Sequence, residues 1–246
     1  MHIQSEHAFV LHARPWRETS LLVEVFCAEH GRIGLLARGV STGKRHLLRA
    51  ALQPLQCIRL EALARGELAT LKNAEAMDAA PRLEGDAVLA AFYLNELTLR
   101  LVPRQDPLPM LHAAYARTRQ DLTRTDMPLA WTLRRYERDL LDAIGFGFEW
   151  DMDSEGRQID PGARYWFDIE HGLRRLRHER SAQTRGQTAT GSALLAMAAD
   201  TLPDAQDLAS LRRPMRQLLA HYLGGRGLKS WEMAAQLHRL ERIGQQ

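Results

Sequence analysis

From residue 5 to 78 the apolar positions fall in short runs with little helical spacing. His7–His12 is a short apolar strand, and Leu21–Cys27 with Val23, Val25 and Phe26 is a second. RPWRETS, Arg14 to Ser20, reads as the polar turn between them. His30-Gly31 turns the chain again, and Arg32 to Arg38 alternates as a third strand. A small, basic segment, Gly39 to His46, reads as a loop; Leu52–Leu63 and Glu67–Glu75 around Arg65-Gly66 complete five strands. Five short strands with glycine turns in about 75 residues fit a small Greek-key barrel that binds oligonucleotides. An SH3-like barrel or a sandwich fits the same pattern.

The period changes at Pro81. Leu83, Ala87, Ala90, Leu94, Leu97 and Leu101 step by four and three, and Val88, Phe92, Leu99 and Val102 form a second apolar side. This predicts a helix buried on both faces, in which Glu96 must be paired or hydrogen-bonded. Pro103, Pro107 and Pro109 end it and introduce a second helix through Leu122; Asp126 is the expected cap of a third, which ends at Gly145. Gly147, Gly156, Pro161 and Gly162 interrupt the helical pattern before a hairpin of Arg164–Ile169 and Leu173–Leu176. Three helices follow, over Gly191–Asp200, over Asp204–Tyr222 and from Ser230, the expected cap of the last. The expected class is α+β: a five-stranded barrel at 1–80, then a mostly helical region at 81–246 with an irregular hairpin insertion at about 146–180.

Composition changes this picture in one respect. The net charge is only +3, but 30 of the 33 basic residues are arginine, since Lys44, Lys72 and Lys229 are the only lysines. Arginine's planar, permanently charged fork suits phosphate and carboxylate recognition. Cys27 and Cys57 are the only cysteines and form no CxxC pair, so the expectation is reduced core thiols, no zinc and no disulfide framework. No apolar run reaches membrane-spanning length and residues 1–10 lack a signal-peptide core, which predicts a cytoplasmic protein.

Catalytic patterns fail on inspection. Gly39-Val-Ser-Thr-Gly43-Lys44 has three residues between its glycines where a phosphate loop needs four, and Arg45 stands where a magnesium-binding hydroxyl belongs. Asp151, Asp153, Glu155 and Gly156 begin like a calcium loop, but Gly162 holds the position that needs a bidentate glutamate. There is no HExxH and no GxSxG. The expectation is a non-enzyme without cofactor or metal.

Basic clusters remain. Gly31–Arg59 carries Arg32, Arg38, Lys44, Arg45, Arg49 and Arg59 and no acid. Arg134, Arg135 and Arg138 share one helical turn with Leu133 and Tyr136; Arg174, Arg175, Arg177, Arg180 and Arg185 follow the hairpin; Arg212, Arg213, Arg216, Arg226 and Lys229 close the series. A solvated face is the ordinary reading of any one cluster. Four in one chain favour an anionic polymer, with Trp16, Phe26, Tyr136 and Trp166 near enough to stack on bases.

The chain resembles the RecO family of bacterial recombination mediators. The resemblance rests on RPWRETSLLVEVF (14–26), ARG (37–39) with Lys44-Arg45, LQP (52–54), GEL (66–68), YLNEL (93–97), LRRYERDLLDAIG (133–145) and YLGGRGLKSW (222–231), in that order. It implies an N-terminal OB-fold and a helical C-terminal domain. It also implies binding to single- and double-stranded DNA, ATP-independent annealing, and partnership with RecR and with SSB, whose displacement helps RecA load. Some members carry a four-cysteine zinc module where 147–180 lies here; this chain has no cysteine there. The expected DNA-binding set is Arg14, Arg17, Arg32, Arg38, Lys44, Arg45, Arg49, Arg174, Arg175, Arg177, Arg212, Arg213, Arg216 and Lys229. Leu133, Arg134, Arg135, Tyr136 and Arg138 are the expected seat for the acidic tail of SSB. The alternative is a helical adaptor whose barrel docks protein.

Overall fold

The structure, a computed structural model, describes residues 2–40, 46–64, 66, 68–176 and 186–244, without the side chains of 46 and 238–244. Two compact units share the chain. Residues 1–125 with 228–246 form the first, and 126–227 form the second.

The first unit is built on a closed barrel of β1 (His2–Trp16), β2 (Ser20–Cys27), β3 (Gly31–Ala37), β4 (Cys57–Ala64) and β5 (Leu68–Ala76), in the order β1-β2-β3-β5-β4. β3 and β5 run parallel, and β1 closes on β4 antiparallel, which is the OB-type arrangement. Alternation along each strand sends Val10, Val23, Val25, Ile33, Leu35, Ile58, Leu60 and Leu71 inward. β1 extends through Arg14-Pro15-Trp16, where a turn was expected, because these residues pair with Leu22, Leu21 and Ser20. The segment before β4 is not strand: α1 (His46–Ala51) and a turn at Leu55 precede Cys57. Both thiols sit in the barrel, and burial raises their pKa values, Cys27 well above the ordinary thiol range.

Helices α2 (Asp86–Leu101) and α3 (Pro109–Asp121) pack on the outside of this barrel. Asn95 donates to the Leu11 carbonyl at 2.9 Å and accepts from the Tyr115 hydroxyl at 2.5 Å, so one buried amide joins both helices to β1. Arg119, also buried, makes a two-pronged pair with Asp78 at 2.8 and 2.9 Å. Glu96 is half-buried and has the partners expected of it. It accepts from the backbone N–H groups of Lys229 (2.8 Å) and Ser230 (2.9 Å) and from the Ser230 hydroxyl, and so caps α7 (Lys229–Gly244). Ser230 therefore lies inside the helix it was expected to cap. Glu96→Ala should cost about 1–2 kcal/mol, the loss of a good N-cap. Thermal unfolding measures it, and hydrogen exchange should localise the loss to the first turn of α7.

The second unit contains α4 (Leu129–Ala143), a three-stranded sheet of β6 (Arg164–Asp168), β7 (Gly172–Arg175) and β8 (Ala189–Thr190), then α5 (Gly191–Ala199) and α6 (Ala205–Tyr222). Pro128, not Asp126, occupies the cap position of α4. Thr190 and Asp204 cap α5 and α6 through their side chains. No helix among the described residues is long and apolar enough to cross a membrane.

Candidate nucleic-acid interface

Strand register gathers the first group of cations. Trp16 pairs with Ser20 and Leu21 with Ala37, so the ends of β1 and β3 and the start of β2 meet at one end of the barrel. A bond from the Val40 N–H to the Thr19 carbonyl (2.7 Å) ties the two connections there. Arg14, Trp16, Arg17 and Arg38 are all exposed at this end. Arg17 takes a positive φ of 54°, uncommon for a side chain of its size, at the tip of the β1–β2 hairpin. The Arg14 guanidinium lies 5.8 Å from the centre of the Trp16 ring, within reach of a cation–π contact. Among the described residues neither Arg14 nor Arg17 has an ionic partner. Arg14, Leu22 and Leu36 stand side by side on the outer face, the two leucines half-buried. Arg49 is exposed on α1; Lys44 and Arg45 lie outside the described residues.

Arg32 is elsewhere. Six residues along β3 from Arg38, it sits about 20 Å away at the other end of the barrel. Its Nε donates to the Val102 carbonyl at 2.9 Å, and its Nη1 meets Glu24 at 3.2 Å. Burial, with the nearby charge of Arg104, lowers its pKa. The same outer face here is covered: Phe9 and Phe26 pack against His112 and Tyr115 of α3. Phe26 is thereby removed from the aromatics able to stack on a base, and Tyr136 is removed by complete burial. Trp16, 40% exposed, and the half-exposed Trp166 remain.

In the second unit Arg174 and Arg175 lie on β7, paired with Asp168 (3.3 Å) and Asp160 (2.6 Å); Arg177 falls outside the described residues. Arg212, Arg213 and Arg216 are exposed on α6, opposite the buried Leu208, Leu211, Met215 and Leu218. Lys229, expected with them, belongs to the first unit. The α4 cluster is mostly committed to acids. Arg134 pairs with the fully buried Glu137, Arg135 grips Asp200 at 2.9 and 2.7 Å, and Arg138 meets Asp200 at 2.9 Å and the Met197 carbonyl at 2.6 Å. Burial opposes the charge of Asp200, but hydrogen bonding from Arg135 and the charge of Arg138 outweigh it and lower its pKa. The Nε and Nη1 of Arg134 are buried with no hydrogen-bond partner among the described residues. Leu133 is half-buried beside them.

One group among the described residues has ligand atoms close enough for a metal: Glu6, Glu29 and His30, all within 4.8 Å. The Glu6 carboxylate is already engaged, accepting from the Glu29 N–H at 2.8 Å and meeting His30 Nδ1 at 2.6 Å. These bonds satisfy a buried anion without an ion.

Two family models match the chain, Recombination protein O N terminal over residues 1–80 and Recombination protein O C terminal over 82–232. A DNA repair protein RecO of Stenotrophomonas maltophilia (strain R551-3) is 65% identical over 237 residues, 96% of this chain and 98% of that protein. The DNA repair protein RecO of Xanthomonas euvesicatoria pv. vesicatoria (strain 85-10) is 58% identical over 239 residues, 97% and 99% of the two chains. With the barrel, the helical region and its small sheet in the expected order, this chain belongs to the RecO family of DNA repair proteins.

Proposed function

We propose that this chain is an ATP-independent DNA-binding and strand-annealing recombination mediator, which helps RecA load on single-stranded DNA coated by SSB. The observation that carries the reading is the end of the barrel where Arg14, Arg17 and Arg38 converge around an exposed tryptophan. Arg14 and Arg17, which have no ionic partner among the described residues, are placed to neutralise phosphates, and the aromatic beside them takes bases without regard to sequence. Lys44, Arg45 and Arg49 belong to the same proposed contact. The arginines of α6 and β7 are proposed to hold further DNA, single- or double-stranded. RecR and, indirectly, RecA follow from the family as partners, and the nucleoid of the cytoplasm as the place of action. The protein acts here as a binder, not a catalyst.

The test is a triple variant, Arg14→Ala/Arg17→Ala/Arg38→Ala, titrated against a labelled single-stranded oligonucleotide over a range of salt. Three lost phosphate contacts should make the log–log salt slope shallower by about 2 and weaken binding about a hundredfold at 0.1 M salt. An unchanged slope rejects this end of the barrel as the contact. The adaptor alternative predicts no salt-dependent binding by the unaltered protein either.

A second reading concerns the acidic SSB tail. Arg134, Arg135 and Arg138 beside the half-buried Leu133, four neighbours on one turn of α4, favour an anionic peptide there. Tyr136 is core and supports this surface from beneath. Arg134→Ala/Arg135→Ala should weaken a tail peptide about tenfold, as expected for charge-assisted bonds; equal affinity by calorimetry rejects the seat.

A further inference from the structure

We propose that the groove on the small sheet of the second unit is a separate seat for single-stranded DNA, in which Trp166 stacks on a base and Arg174 meets the adjoining phosphate. The proposal rests on the DNA-binding reading and adds a second strand-holding site, on the second unit.

The groove has a volume of about 680 Å³, and Trp166, Asp168, Arg174 and Arg175 are among its lining residues. Trp166 lies directly across from Arg174 in the β6–β7 ladder, so the ring and the guanidinium emerge on one face as cross-strand neighbours. Arg164 and Asp168, two residues either way along β6, share that face. The opposite face carries Tyr165 and Leu173, both buried. Phe148, Trp150 and Phe167 pack edge to face on one another at 5.5–5.8 Å between centres, and Trp166 stands outside that trio. The Tyr165 hydroxyl accepts from the Asp160 N–H at 2.8 Å, and Arg164 is pinned to Thr188 at 2.9 and 2.8 Å. The sheet is thus held rigid while its tryptophan stays half-exposed, the arrangement a stacking platform requires.

The charges choose the occupant. Arg174 and Arg175 each already meet a carboxylate, and Glu155 and Asp168 also line the groove. An acidic peptide would bring its carboxylates against those two acids. A nucleobase is neutral, covers the indole, and can donate its edge to the Asp168 carboxylate. That carboxylate stays ionised, since the hydrogen bond from His171 leads several that lower its pKa to about 2. The Arg174 side chain, 58% exposed and 3.3 Å from Asp168, can swing from that carboxylate to a phosphate at the rim. Annealing needs two strands held at once, and the barrel supplies one holder.

The experiment uses the full chain and an oligonucleotide carrying 5-iodouracil. Irradiation should label the tryptic peptide Tyr165–Arg174, and should still do so in the Arg14→Ala/Arg17→Ala/Arg38→Ala variant at protein concentrations that restore binding. Trp166→Ala should slow annealing of complementary strands by about fivefold or more, the scale of one lost base stack, while the affinity for the first strand changes less than twofold. Trp166→Phe, which keeps a stacking ring, should retain most of the rate and controls for folding. Salt-dependent binding without label on that peptide, or annealing unchanged by Trp166→Ala, overturns this seat alone. No DNA binding by the unaltered chain at any salt overturns the DNA reading and this seat with it.

Discussion

Glu137→Ala is expected to destabilise the second unit by about 3–5 kcal/mol, the range for breaking one side of a buried ion pair. Glu137 is fully buried on α4, and Arg134, one turn earlier, has a side chain only 12% exposed. Two of the guanidinium nitrogens already lack hydrogen-bond partners among the described residues, so removing the carboxylate strands a largely buried cation. Chemical denaturation should show a lower midpoint at an unchanged slope, the sign of lost stability rather than altered compactness. Arg134→Met/Glu137→Leu should recover most of the loss, because two apolar side chains of similar volume need no counter-charge. That double variant also removes one of the charges proposed to receive the SSB tail, so it should be stable and bind the peptide more weakly. A loss below about 1 kcal/mol for Glu137→Ala would mean that water enters the site, since exposed pairs contribute only that much.

The pair illustrates what was legible in the sequence. The change of period at Pro81, the five strands and the hairpin around Trp166 are all patterns of near neighbours, and each was readable. α1 was not, because Leu47, Leu48, Ala50, Ala51 and Leu52 form an apolar run too short to tell helix from strand. The Arg14–Trp16 segment read as a turn because Pro15 weakens a strand; it survives at the end of β1, opposite Leu21. The charge map failed more instructively. The Gly31–Arg59 stretch holds no acid, yet Arg32 is neutralised by Glu24 from the preceding strand and Arg59 by Glu75 from β5. The α4 arginines looked like one patch, but Asp200 lies 65 residues beyond Arg135 in sequence. Runs of like charge show where cations are dense. Only the fold says which of them remain unpaired; among the described residues Arg14 and Arg17 are two that do, beside a tryptophan that sequence alone could not separate from the core.

Gly31→Ala is expected to cost about 3 kcal/mol or more, combining the roughly 1–2 kcal/mol of a left-handed residue with the displacement of packed backbone. Gly31 has φ 64°, and a methyl group there would fall deep inside the Asp106 peptide unit. Around it the barrel is fastened to the segment that follows α2. The Gln105 N–H donates to the Arg32 carbonyl at 3.0 Å, Arg32 reaches Val102, and Glu24 draws in both Arg32 and Arg104. This end is spent on cohesion, whereas at the opposite end Arg14 and Arg17 have no ionic partner among the described residues. The two ends should therefore give opposite mutational signatures. Gly31→Ala should lower the unfolding midpoint while the folded fraction keeps its affinity and salt slope for single-stranded DNA. The triple arginine variant should leave the stability within about 0.5 kcal/mol per site, as surface changes do, and flatten the salt slope. If Gly31→Ala instead flattened the salt slope in fully folded protein, the DNA path would have to run along the whole barrel, and Arg32 would return to it.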